Sequence, residues 1–277
     1  MRAAAIARVA GVAAALLSCA AAHAAPIDAY PGAAASYLLV ADGQPLWAHA
    51  PSLPRPPASL AKLMTALVLL DDGWQPQAIV TASTRAVHVD GTRLGLRVGE
   101  SLRAEDALVA LLVRSANDVC VALAEHAAGS IEAFAGRMNE RARRMGLADS
   151  HFEHPCGLDA PGQHTTAADL LRIAQEALQR PQVAAIVPRA SAWVTTTGGR
   201  RIGMHNGNEL LGRVPGVFGM KSGYTTGAGK CVVAVADRDG HRIWLVMLAG
   251  ADRWWAASGM IDAAFRWIEL HPVGSSQ

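Results

Sequence analysis

Residues 55–72 read RPPASLAKLMTALVLLDD. Between Arg55 and Asp71 the chain carries one charge, Lys62, three residues after Ser59. Prolines just upstream suit a helix start, and Asp71-Asp72-Gly73 suits an end, so the pattern predicts a helix over 59–70. That helix is apolar nearly all round and belongs in a core. Ser59 then sits in its first turn, where free N–H groups and the positive dipole end favour negative charge. Lys62 lies on the same face, at i+3. Burial disfavours an ammonium, and an amine that is neutral part of the time can take a proton from a serine hydroxyl. The plain alternative is a lysine that snorkels to solvent from a core helix. Ser-x-x-Lys is common by chance, so the rest of the chain has to decide.

Working outward, SYLLV (36–40) and PLWAHA (45–50) flank a hairpin turn at Asp42-Gly43. From about Thr81 to Val187 most segments carry helical spacing: 104–114, 117–129, 131–146 and 166–180. Thr166 with Asp169 three residues on is a capping-box pattern. After Pro188 the character changes. KCVVAVADRDGHRIWLVMLAG (230–250) reads as two strands about Asp239-Gly240. DRWWAASGMIDAAFRWIEL (252–270) puts Trp254, Ser258, Ile261, Phe265 and Ile268 on one helical face, that of a helix docked on a sheet. The layout predicts an α+β fold: one antiparallel sheet flanked by terminal helices, with an all-helical lobe inserted at about 75–187.

About half of the 277 residues are apolar and 17% are charged, which argues against disorder. Residues 1–24 read as a signal peptide: Arg2 and Arg8, the apolar run 9–17, then Ala22-His23-Ala24 as a cleavage site. LLSC (16–19) resembles a loose lipoprotein box, and lipidation at Cys19 is the lesser alternative. Removal of 1–24 takes away two arginines and no acids, so the formal charge falls from +2 to zero. A neutral chain argues against nucleic acid as a partner. No later run of about 20 apolar residues would supply a transmembrane anchor. Cys120, Cys156 and Cys231 remain, an odd number, and buried free thiols are the favoured reading although export would permit a disulfide. Residues 25–271 are expected to form the domain and 272–277 a disordered tail.

Two further stretches bear on chemistry. VRSANDVC (113–120) places Ser115 and Asn117 where two helical segments meet; an N-cap cluster is the plain reading, a pair of cleft residues the functional one. VFGMKSGYTTGAG (217–229) ends a short β run with Lys221-Ser222-Gly223. On an edge strand these would offer a cation, a hydroxyl for a carboxylate, and room for substrate backbone.

Ser59-x-x-Lys62, Ser115-x-Asn117 and Lys221-Ser222-Gly223 match in order the three motifs of penicillin-binding proteins and class A β-lactamases. With HPCGLDAPGQHTTAADLLRIA (154–174) and HNGNELL (205–211), the sequence resembles the low-molecular-mass penicillin-binding proteins, the serine D-Ala-D-Ala carboxypeptidases, from about Tyr37 to Leu270. The resemblance implies that Ser59 is the nucleophile, Lys62 the proton acceptor and Ser115 a proton relay. It implies that Asn117 binds the substrate amide and that Lys221 and Ser222 hold the terminal carboxylate. Backbone N–H groups of Ser59 and Tyr224 would form the oxyanion hole. The implied partners are peptidoglycan pentapeptide stems ending in D-Ala-D-Ala, with β-lactam antibiotics as covalent inhibitors; no cofactor is implied. The implied location is the periplasm. Ser222 stands where threonine is usual, and His154 where asparagine is usual. The sequence stops soon after the last expected helix, as in the single-domain subgroup, some of which are endopeptidases that cut crosslinks.

Three other readings compete. A class A β-lactamase carries Glu-x-x-Leu-Asn, whereas Glu209 here is followed by Leu210, Leu211 and Gly212. His151, His154, Cys156 and His164 are close enough in sequence to suggest zinc. A non-catalytic peptidoglycan-binding module would keep the fold without the reaction.

Overall fold

The computed structural model describes residues 27–71 and 73–271. The signal peptide, Cys19 and the 272–277 tail lie outside the described residues.

In chain order the elements are β1 (Ala34–Ala41), β2 (Gln44–His49), α1 (Lys62–Asp71), β3 (Ile79–Thr81), α2 (Thr84–Val87), β4 (Ser101–Arg103), α3 (Ala104–Val109), α4 (Asn117–Ala128) and α5 (Ile131–Arg144). They continue with α6 (Ala167–Leu178), α7 (Pro181–Ile186), β5 (Ser191–Thr195), β6 (Arg201–His205), β7 (Val217–Thr225), β8 (Gly229–Arg238), β9 (His241–Gly250) and α8 (Arg253–Leu270). A five-stranded sheet runs β2-β1-β9-β8-β7, every neighbouring pair antiparallel. β3–β4 and β5–β6 form small separate hairpins. The α+β expectation holds, with the helices between β2 and β5 gathered on one side of the sheet.

The central strands read as unbroken apolar runs because both faces are covered. On β8 and β9, Val233, Val235, Trp244, Val246 and Leu248 face the core shared with the helical lobe. Their neighbours Val232, Ala234, Ala236, Ile243, Leu245 and Met247 face α8. Two-residue periodicity thus splits one apolar run into two cores. α8 buries Ala256, Ala257, Met260, Ile261, Ala264, Phe265 and Ile268. Trp254 and Ser258, expected on the docked face, sit half-buried at its margin. α1 is buried along nearly its whole length, from Lys62 to Leu69.

Several local expectations change. The 59–70 helix begins as a tight 3-10 turn, Ala58–Ala61, before α1. The 104–114 helix divides into α3 and a π-helical turn, Ala110–Arg114. Thr166 caps α6, its Oγ1 accepting from the Asp169 amide at 3.0 Å. The three-residue strands β3 and β4 lie inside the lobe where mainly helix was expected.

The cysteine expectation is corrected. Cys120 and Cys156 form a disulfide with their Cα atoms 5.8 Å apart, and Cys231 is the buried free thiol. Sequence separation of 36 residues gave no local cue; α4 and the 152–158 segment meet only through tertiary packing. Closing such a loop stabilises the fold by about 3–4 kcal/mol in the chain-entropy account.

That segment presses on the start of the 3-10 turn. Gly157 has φ +79°, and a Cβ there would lie 1.8 Å from the Ala58 carbonyl oxygen. Ala58 itself is left-handed, with φ 49°. Gly157→Ala should therefore lower the melting temperature by roughly 5 °C or more in calorimetry, combining an unfavourable φ with a backbone overlap. An unchanged melting temperature would mean the two segments do not touch.

Candidate active site

Pro56 and Pro57 deliver the chain to Ala58, whose positive φ turns it sharply into the 3-10 turn. In 3-10 geometry positions i and i+3 nearly eclipse, which brings Ser59 and Lys62 together. Lys62 Nζ is 2.9 Å from Ser59 Oγ. The amine also donates to Asn117 Oδ1 at 2.7 Å and to the Cys156 carbonyl at 2.7 Å. Lys62 is fully buried, which rules out the snorkelling alternative.

Burial lowers the Lys62 pKa well below the ordinary lysine value, and the charge of Lys221 lowers it further. A neutral amine has two N–H bonds and one lone pair. Two carbonyl-type oxygens take the N–H bonds, and the lone pair is left for the Ser59 hydroxyl to donate into. The arrangement is that of a base aimed at a hydroxyl.

Asn117 is the first residue of α4 rather than its cap. Its backbone N–H donates to the Thr92 carbonyl at 2.7 Å and its Nδ2 to the Asp90 carbonyl at 2.7 Å. The buried Asp118 carboxylate accepts from the amides of Leu94, Gly95 and Leu96, so the 90–96 loop is tied to the start of α4. Ser115 closes the π-helical turn in the left-handed region, φ 62° and ψ 32°. Such a conformation costs a non-glycine residue of order 1–3 kcal/mol and clusters at functional sites. Ser115 lines the cleft with Ser59, without a hydrogen bond to Ser59 or Lys62 among the described residues.

β7 is the edge strand, as expected, but the motif lies within it rather than at its end. Ser222 Oγ donates to the Gly207 carbonyl at 2.8 Å. Lys221, 2% exposed, donates to the Ser222 carbonyl at 2.8 Å. Burial brings its pKa down to about 7, with help from Arg253. At Gly223 the missing side chain makes room for the chain itself: a Cβ would lie 2.7 Å from the Ser59 amide nitrogen. The expected close approach is therefore that of the Ser59 backbone.

Ser59, Ser115, Asn117, Ser222, Gly223 and Tyr224 share one cleft of about 810 Å³. Lys62 and Lys221 lie buried behind its wall.

The sequence reading missed Arg253, which also lines this cleft and donates to the Gly223 carbonyl at 2.5 Å. Its signal lay in hairpin register. The turns at 226–228 and 239–240 set Gly223 opposite Cys231 and Lys230 opposite Gly250, which carries Arg253 back to β7. It also missed the Cys156 carbonyl, which no side-chain pattern reveals, and Asp159, which accepts from Thr225 Oγ1 at 2.6 Å and the Gly227 amide at 2.9 Å.

Lys62, Lys221 and Arg253 have no carboxylate partner among the described residues. With Lys62 neutral, Lys221 and Arg253 are the cations left without a counter-charge, and such a pair forms a receptor for an anion such as a carboxylate.

The four residues weighed as zinc ligands do not gather into a group of three or more among the described residues, and three of them are otherwise engaged. The Cys156 sulfur is in the disulfide, and His154 Nδ1 accepts from the Cys156 amide at 3.1 Å. Burial lowers the His154 pKa to about 4, with Lys62 contributing, so the ring is neutral. His164 Nδ1 lies 2.7 Å from the Gly162 carbonyl.

Comparison with known proteins places the chain in a family. D-alanyl-D-alanine carboxypeptidase DacF of Bacillus subtilis is 31% identical over 78% of this chain and 58% of its own length. DacB2 of Mycobacterium tuberculosis is 33% identical over 88% of this chain and 87% of its own. A D-alanyl-D-alanine endopeptidase of Pseudomonas aeruginosa is 28% identical over 83% and 75%. The chain thus spans little more than half of the Bacillus relative and most of the mycobacterial one. The crystal structure of a D-alanyl-D-alanine carboxypeptidase from M. tuberculosis H37Rv superposes with a TM-score of 0.79 at 32% identity, covering 85% of this chain and 92% of that one. A family model described as D-alanyl-D-alanine carboxypeptidase matches residues 22–252, and the chain belongs to that family.

Proposed function

We propose that this protein is a serine DD-carboxypeptidase that removes the terminal D-Ala from peptidoglycan stem peptides. The observation that carries the reading is the 2.9 Å contact between Ser59 Oγ and a fully buried Lys62 Nζ. In this reading neutral Lys62 accepts the Ser59 proton as Oγ attacks the penultimate D-Ala carbonyl. The oxyanion is received by the backbone N–H groups of Ser59 and Tyr224, where losing one such donor typically costs about 3 kcal/mol. The proton returns to the leaving amine by way of Ser115, and D-alanine departs. Water then releases the acyl-enzyme. The substrate ends in a carboxylate, and Lys221, Ser222 and Arg253 offer two cations and a hydroxyl to receive it. Asn117 keeps one Nδ2 hydrogen and one Oδ1 lone pair beyond its bonds to Asp90 and Lys62, and in this reading these receive the substrate amide. A β-lactam presents a similar carboxylate and carbonyl, and would acylate the same serine.

The P. aeruginosa relative's name supports a second reading, hydrolysis of crosslinks. Mass analysis of peptidoglycan after digestion separates the two, since one releases D-alanine and the other converts dimers to monomers. The reading also places the protein outside the inner membrane, in the periplasm. A disulfide suits an oxidising compartment. No helix among the described residues is long and apolar enough to cross a membrane.

Labelling with a fluorescent penicillin should yield a covalent adduct that Ser59→Ala abolishes. Lys62→Ala should slow labelling by roughly 10²–10⁴-fold, the usual worth of a general base. Reversible binding without an adduct would favour the non-catalytic module.

The two lysines should also shape the pH profile. Acylation needs Lys62 neutral, so kcat/KM rises as pH climbs through its lowered pKa. Carboxylate capture needs Lys221 charged, and in the free enzyme that charge is lost above about 7. The expected kcat/KM profile is a bell. Lys221→Arg, which stays protonated, should remove the descending limb; a limb that stays put would take Lys221 out of carboxylate binding.

A further inference from the structure

We propose that the Cys120–Cys156 disulfide is a positioning element for the base, holding together the two oxygens that aim Lys62 at Ser59. The inference rests on Lys62 being the base, as argued above.

The cradle around Lys62 Nζ is assembled from three distant segments. Lys62 comes from α1, Asn117 from the start of α4, and the Cys156 carbonyl from the 152–158 segment. The disulfide is the covalent tie between the last two. Cys120 stands one turn along α4 from Asn117, and its amide donates to the Ala116 carbonyl at 3.0 Å, inside that first turn. Cys156 carries both the disulfide sulfur and the carbonyl that accepts from Lys62. That bond is therefore the covalent constraint on the separation of Asn117 Oδ1 from the Cys156 oxygen. The residues on either side of Cys156 also touch the machinery. The Pro155 carbonyl accepts from Thr65 Oγ1 at 2.6 Å, and Gly157 packs on Ala58. Asn139 to Phe152 and Gln163 to Glu153, His154 and Leu158 tie the segment to α5 and to the following turn. Toward α4 itself, the disulfide is joined by a 3.8 Å contact of the same Cys156 sulfur with the Asn117 carbonyl.

If the bond is cut, α4 and the segment are free to part and water reaches Lys62. Its ammonium is then better solvated, and a higher pH is needed to make it neutral. The charged and titratable groups facing it are Lys221 from β7 and His154 from the segment itself. His154 is influenced in turn by Arg85 of α2 and Glu132 of α5. From α4 it meets neutral Asn117, since the Asp118 carboxylate is turned to the 94–96 amides.

The test compares the wild-type protein, the Cys120→Ser/Cys156→Ser double variant, and wild type reduced with dithiothreitol. The dithiol yields two protein thiols as it is oxidised to its cyclic disulfide. Fluorescent-penicillin acylation is followed from pH 5 to 10, well below the melting temperature, with near-UV circular dichroism as the check on fold. The expected result is acylation slowed about 10- to 100-fold near neutrality, with the ascending limb moved up by roughly one pH unit. Wild-type rates and an unmoved limb, with only a lower melting temperature, would overturn the inference and leave the bond a staple. If the double variant does not fold, the reduced wild type decides by the same two readouts. Absence of labelling in oxidised wild type would instead sink the peptidase reading and this inference with it.

Discussion

Everything in this molecule depends on keeping one amine out of water while a hydroxyl lies beside it. An ordinary lysine at neutral pH is an ammonium and has no lone pair to offer. Burial changes that balance, because an ion in a poorly polarisable interior is costly and its neutral form is not. Two oxygens at 2.7 Å keep the neutral form satisfied and oriented, so the buried polar group does not count against the fold. The charge of Lys221 pushes in the same direction.

The fold can be read as the means of holding that amine. The sheet supplies a rigid wall because both of its faces are buried, one under α8 and one under the helical lobe. The lobe supplies the opposite wall through the start of α4, which the 90–96 loop fastens by the Asp118 carboxylate and by Asn117. The 3-10 turn crosses between them, squeezed by two glycines: Gly157 behind the Ala58 carbonyl and Gly223 against the Ser59 amide. Neither position tolerates a Cβ, so the Ala58–Ser59 backbone is located by contact on two sides.

Most of the architecture was legible in the sequence because period and punctuation agree there. Asp42-Gly43 and Asp239-Gly240 mark hairpins that exist, and Thr166 caps the helix it was expected to cap. The three motifs point to residues that do gather, since each sits at the edge of a strongly patterned element. What stayed hidden has a common cause. The disulfide, the Cys156 carbonyl and the reach of Arg253 to Gly223 all arise where segments far apart in sequence come into contact. Backbone carbonyls belong to every residue, so no residue type announces one that serves as an acceptor. The 3-10 and π-helical turns were missed for a related reason: Ala58–Ala61 and Ala110–Arg114 have good helix formers, and only their surroundings tighten or widen the turn.

The two edges of the sheet are treated unequally, and this has a consequence for how the protein meets other chains. β2 is short, its ends are exposed, and Pro45 removes a donor near its start. β7, by contrast, is nine residues long and its rim from Ser222 to Thr225 opens on the cleft. An unpaired strand rim is an invitation to any extended polypeptide, and most proteins blunt both of theirs. Here Ser115 and Asn117 of the helical lobe line the same cleft as that rim, so the longer border faces the lobe across a cleft and is not left as a bare edge.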